Sequence, residues 1–104
     1  VVERIVEESR VAVETRMVEE LFSRIARGGL AAYGLKEVEA AANLGAVEML
    51  LVTYTLLQKH NPDRLLEKVK KQRGEVLVVS PEHDAGERLD GIGGIGAALR
   101  FRIA

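Results

Sequence analysis

The stretch GAVEMLLVTYTLLQKHNPDRLLEKVKKQRGEVLVVS, residues 45–80, decides the fold. Met49 to Val52 is an unbroken apolar run, the pattern of a strand covered on both faces. TLLQKH then supplies a helical turn or two. Asn61 and Pro62 have the chemistry of a helix cap and first-turn residue, opening a helix through Arg73 with Leu65, Leu66 and Val69 on its inner side. Gly74 ends that helix, and EVLVV follows as a second buried strand. Two apolar strands joined through helix predict a sheet with helices packed on it.

Working outward, the first 27 residues have helical periodicity, and Gly28 and Gly29 stop it. One apolar row runs Val2, Val6, Ser9, Val13, Met17, Leu21; a second, Val11, Val18, Phe22, Ile25, lies up to half a turn round the helix and needs a different cover. LAAY, residues 30–33, is a short strand, and Gly34 turns it into the helix LKEVEAAANLG, closed by Gly45. Beyond EVLVV, Ser80 and Pro81 suggest a cap and first-turn pair for a helix to about Asp90. In ALRFRI, Leu99, Phe101 and Ile103 alternate with Arg100 and Arg102, which predicts a last strand with one wet face. The expected fold class is α/β, an α/β/α three-layer sandwich on a four-stranded mixed sheet. Residues 1–104 are expected to form a single domain.

Fifteen basic and sixteen acidic residues give a net charge of -1, so no global field recruits nucleic acid. The absence of cysteine removes disulfides, thiolate catalysis and cysteine-based zinc sites, leaving His60 and His83 as the imidazoles. No apolar run approaches the ~20 residues that cross a bilayer, so no membrane partner is expected and the cytoplasm is the default compartment. The charged helical start without Met leads us to expect a piece of a longer protein.

Gly91, Gly93 and Gly96 spell G-x-G-x-x-G, the spacing that cradles a dinucleotide pyrophosphate. The context is wrong: a helix precedes these glycines, a strand follows, and only eight residues remain after Gly96. The glycines instead point to positive φ or close backbone approach. Most of Glu37, Glu39, Glu48, Glu82, Asp84, Glu87 and Asp90 sit on expected solvated helix surfaces, and none is closely tied to a nucleophile, so no catalytic residue is assigned. His83, beside Glu82, Asp84 and Glu87, is expected to be an exposed first-turn histidine rather than a metal ligand, and no metal or cofactor is assigned to the domain. KVKKQR, residues 68–73, has the charge favoured at a helix C-terminus; weak RNA contact is the alternative.

AAYGLKEVEAAANLGAVEMLLVTYTLL together with VLVVSPEHDAGERLDGIGGIGAALRFRI closely resembles the C-terminal domain of the Pelota (Dom34-like) family, with an archaeal source expected, and more distantly that of class-one release factors. The likeness spans nearly the whole chain. It implies the third, partner-binding domain of a three-domain factor in ribosome rescue and mRNA surveillance. The implied partners are the ribosome, an elongation-factor-class translational GTPase and a ribosome-recycling ATPase. Metal-dependent endoribonuclease activity has been credited to the family in a region outside this one, so the domain itself is expected to be no enzyme. The resemblance places the GTPase contact at the end of the first helix and the glycine loop, which here match Leu21, Phe22, Ile25, Ile92 and Gly93.

Two rival functions bear on the same fold. Kink-turn RNA binders open the helix after their first strand with Gly-x-Asn-Glu-x-x-Lys; here Lys36 replaces the Asn and Ala40 the Lys, so direct RNA binding of that kind is not expected. Release factors usually insert a small domain after the second strand, whereas this chain passes from Thr53 to Pro62 directly. Tyr54 stands where relatives commonly carry a capping Asp, and Thr53 is the substitute cap, with an expected loss of at most about 1 kcal/mol.

Overall fold

The apolar runs at Val47 and Val76 form neighbouring strands, as expected. The computed structural model describes residues 10–102. Its elements are α1 (Arg10–Ala26), β1 (Ala31–Tyr33), α2 (Leu35–Asn43), β2 (Val47–Thr53), α3 (Tyr54–His60), α4 (Asp63–Lys71), β3 (Glu75–Val79), α5 (Asp84–Gly91) and β4 (Ile95–Leu99). The sheet order is β1-β4-β2-β3, with β2 parallel to β3 and β4 antiparallel to both β1 and β2.

Alternation along the strands divides the core in two. Ala32, Leu50, Val52, Ile95, Ala97 and Leu99 face Val38, Ala41, Leu56, Leu65 and Val69 from α2, α3 and α4. Leu51 and Val79 face Val18 and Leu21 of α1 and Ala85 and Leu89 of α5. Helices therefore cover both faces of a mixed sheet, the expected three-layer sandwich.

Several local expectations change. The buried stripe of α1 is Glu14, Val18 and Leu21, while Val11 is exposed and Met17, Phe22 and Ile25 are partly buried against the same cluster. The two rows thus merge into one stripe, because α5 packs beside α1 and widens the covered face. Val2, Val6 and Ser9 lie outside the described residues. The helix caps shift as well. Asn61 ends α3 in a left-handed conformation and Pro62 caps α4; His83, not Ser80, caps α5. Pro62 lies directly before the first residue of α4, whereas Pro81 lies in the turn between β3 and α5, three residues before that helix begins. EVLVV is an edge strand with three half-buried residues rather than a fully buried one.

The last strand is also earlier than its alternation implied. It spans Ile95–Leu99 and stops because Arg100 folds back: its guanidinium donates to Val47 O at 3.0 and 3.2 Å and to Gln72 O at 2.6 Å. Phe101 consequently points out of the fold and is exposed. Ile103 lies outside the described residues. Thr53 does cap α3, accepting from Leu56 N–H at 3.3 Å, as its position beside Tyr54 suggested.

Candidate partner-docking site

The C-terminal half of α1 and the length of α5 form one layer, and the apolar residues left at its surface define the site. Phe22 rests on the Val18–Leu21–Leu89 cluster with Ile25 and Ile92, all partly buried. The Arg88 guanidinium sits 4.6 Å from the centroid of the Phe22 ring, a cation–π contact that fixes the ring and borders it with charge. Leu21 is only 1 % exposed: it lies beneath this patch, where a Cβ on Gly96 would fall 2.4 Å from its Cδ2. It supports the surface instead of presenting itself. Gly93 is exposed but turns the other way, close to Gly34 and beside a hollow formed with Thr55, Lys59, His60 and Asp90. The structure therefore gathers Phe22, Ile25 and Ile92, sets Leu21 under them and leaves Gly93 on the flank.

The glycine loop is held from within. Gly93 and Gly94 take φ of 110° and 79°. Gly94 N–H donates to Leu89 O at 2.9 Å, and Thr53 N–H donates to Gly94 O at 2.9 Å. Asp90 accepts from the Thr53 hydroxyl at 2.6 Å and the Thr55 hydroxyl at 3.2 Å. A side chain on Gly94 would crowd the Thr53 hydroxyl and Asp90 at 3.0 and 3.2 Å. These contacts assign Gly94 to close internal packing and Gly93 to a backbone conformation with positive φ.

Glu14, which sequence reasoning missed, anchors the other end of this layer. Its carboxylate is 2 % exposed and accepts from Ser80 N–H at 3.1 Å, His83 Nε2 at 2.7 Å and Arg10 Nε at 3.2 Å. Burial alone would raise its pKa, but the hydrogen bonds from His83, Ser80 and Arg10, with the charge of His83, outweigh it and hold the group below the ordinary carboxylate value. His83 Nδ1 accepts from Gly86 N–H, so its ring links α1 to the α5 N-terminus. A signal was present: Glu14 stands four residues before Val18 and seven before Leu21, on the buried stripe. None of the acidic residues raised as acid–base candidates bonds to this carboxylate, and no group of three His, Cys, Asp or Glu among the described residues is placed to hold a metal. No helix among them is long and apolar enough to cross a membrane.

Below α1 runs a groove of about 340 Å³ with Met17, Leu21, Met49 and Leu51 as its apolar lining and Arg16, Glu20, Arg24, Glu48 and Glu75 at its rim. Arg24 closes one end. It pairs with Glu20 at 3.0 Å and donates to Leu30 O and Leu99 O, which ties α1 to the end of the sheet.

Residues 11–103 match the family model described as eRF1 domain 3. The chain is 51 % identical over 107 residues to a protein pelota homolog of Thermococcus kodakarensis, covering 99 % of this chain and 30 % of that protein. It thus spans about a third of the length of such curated relatives. Among solved structures, Archaeoglobus fulgidus Pelota superposes with a TM-score of 0.90 at 41 % identity over 99 % of this chain and 34 % of that one. A ribosome-bound archaeal Pelota, described with ABCE1, gives 0.81 at 51 % identity over 100 % and 30 %. S. cerevisiae Dom34, described as a translation termination-like factor interacting with Hbs1, gives 0.81 at 29 % identity over 93 % and 29 %. With residues 11–103 inside one family model and pelota proteins among the relatives at about half identity, the chain belongs to the eRF1 domain 3 family, on its Pelota branch.

Proposed function

We propose that this domain is the partner-recruiting third domain of a cytoplasmic Pelota-like factor that acts on stalled ribosomes, with a translational GTPase and a recycling ATPase as its partners. The reading is supported by relatives described as ribosome-bound with ABCE1 and as interacting with Hbs1. The observation that carries it is the Phe22–Ile25–Ile92 surface. It joins an aromatic anchor to two branched aliphatics and a flanking Arg88, a combination suited to the centre of a protein interface. Because Leu21 is buried and Gly93 lies to the side, the docking role falls on Phe22, Ile25 and Ile92. Leu21 shapes the patch from below, and Gly93 extends the contact only if the partner reaches around the loop.

The test is a calorimetric titration of the domain with the cognate elongation-factor-class GTPase, run beside Phe22→Ala. Micromolar or tighter binding by the parent and a loss of about 2 kcal/mol, roughly thirty-fold in Kd, in the variant is expected. Equal affinity of parent and variant refutes docking at this surface. Thermal melts of both proteins separate a lost contact from a lost fold.

A further inference from the structure

A net charge of -1 is a sum, and the fold does not distribute it evenly. α1, α2 and α4 all end where β2 and β3 begin and β4 finishes. Arg24 of α1 reaches Leu30 O and Leu99 O, α2 leads into β2 through Gly45, and α4 into β3 through Gly74. This end carries Lys68, Lys70, Lys71, Arg73 and Arg100, all exposed. Helix N-terminal turns at the other end carry Glu37 and Asp63. Lys36 and Arg64 share those turns, and Glu48 and Glu75 open β2 and β3 at the basic end, so the ends are not cleanly divided; what the fold does is bring the four cations of residues 68–73 together with Arg100.

Three further observations mark the basic end. Among the described residues, none of those five cations forms an ion pair; every salt bridge involves Glu14, Glu20 or Glu48. Arg73 sits at φ 68°, the left-handed position after a helix where glycine is the usual residue, while Gly74 N–H closes the turn on Val69 O at 2.8 Å. A long cationic side chain is therefore held where backbone strain favours its absence. Finally, Arg100 is held in place by Val47 O and Gln72 O, and Lys68 donates to Asn43 Oδ1, so two of the five heads are fixed in position.

We propose that this basic pole is a contact for the RNA phosphate backbone; resting on the ribosome reading above, the RNA is ribosomal. Leu44 at the end of α2 and Phe101 beside Arg100 are exposed large apolar residues near the pole, but its five exposed cations outnumber them, and charge is its leading feature. Phosphate attraction requires only the charge and its spacing. The contact differs from kink-turn recognition, whose pattern would fall on Gly34–Ala40 at the opposite end of the sheet, beside Glu37 and Glu39.

The test is fluorescence anisotropy with a labelled 20-base-pair duplex RNA across a KCl series, comparing the parent, the quadruple variant K68Q/K70Q/K71Q/R73Q and the opposite-end control K36Q/K59Q. All substituted side chains are exposed, and thermal melts check their folding. The parent is expected to bind in the ~10⁻⁴ to 10⁻⁶ M range with steep salt dependence, the quadruple variant at least about tenfold more weakly with a log–log slope shallower by about 3 to 4, and the control like the parent. Equal binding by parent and quadruple variant overturns the proposal, as does a poly-glutamate peptide that competes as well as unlabelled RNA, since the pole would then be a surface for acidic protein. Co-sedimentation with large ribosomal subunits tests the source separately. Retention of the quadruple variant at the parental level removes ribosomal RNA as the ligand while leaving the duplex-RNA result, and the Phe22 titration of the GTPase is unaffected by either outcome.

Discussion

At the scale of single residues, Glu14 and Thr53 are the buried polar side chains among the described residues, and each is satisfied in a different way. Thr53 caps its own helix and shares its hydroxyl with Asp90. Glu14 gathers donors from three segments, so truncating it leaves Ser80 N–H and the His83 ring without their acceptor in a covered site. Glu14→Ala is expected to cost about 2 to 3 kcal/mol in urea unfolding at pH 7, the penalty of orphaned buried donors. The pH dependence has a definite sign. The folded-state pKa lies below the ordinary value of 4.5, so the contribution is complete above that value and disappears as pH falls through the lower, folded one. Parent and Glu14→Gln stabilities should therefore converge below pH about 4.5, while a constant difference down to pH 3 would show that the carboxylate is not held in its charged form. Glu14 was legible in principle, as a carboxylate at stripe spacing; it was missed because a helical glutamate is ordinarily solvated.

At the scale of elements, close approach between neighbouring segments explains Gly86 and Gly96, the second of which belongs to the G-x-G-x-x-G spacing. A Cβ on Gly86 would lie 1.8 Å from Ser80 O and 2.8 Å from Pro81 Cα, both backbone atoms that cannot yield without moving α5 off the turn before it. One on Gly96 would meet Leu21 Cδ2 at 2.4 Å, the far end of a side chain that can change rotamer. Gly86→Ala is accordingly expected to destabilise by about 3 kcal/mol or more, and Gly96→Ala by about 1 to 2 kcal/mol, measured by thermal unfolding. Equal effects would mean that the α5 turn is looser than this packing implies. Element order was legible because apolar runs and helical periodicity report burial directly, as Met49–Val52 and Leu65–Val69 illustrate. Boundaries were not, because side chains far away in sequence set them: Arg100 ends β4 by reaching Val47 and Gln72, and the Pro62 and Pro81 positions depend on how each connection leaves the sheet.

At the scale of the whole molecule, the sheet separates the two surfaces assigned to partners. Phe22, Ile25 and Ile92 lie over the core face formed with α1 and α5; Lys68, Lys70, Lys71 and Arg73 extend from α4, which covers the opposite face, toward the end where Arg100 sits. Net charge argued against nucleic acid because it adds all residues together, whereas the parallel β2–α3–α4–β3 connection carries the KVKKQR cations to one pole. Two ligands on opposite layers, with no element shared between their contacts, have little reason to couple. Titrating the GTPase into domain already saturated with duplex RNA should therefore give the same Kd as titration without RNA, within about twofold, and Phe22→Ala combined with K68Q/K70Q/K71Q/R73Q should lose each affinity by the amount seen singly. Competition between the two ligands would place both on one face and contradict this division of the surface. Independent binding would instead let a single small domain hold a protein partner on one side while its charged end stays on RNA, with the rigid sheet between them fixing the relative position of the two.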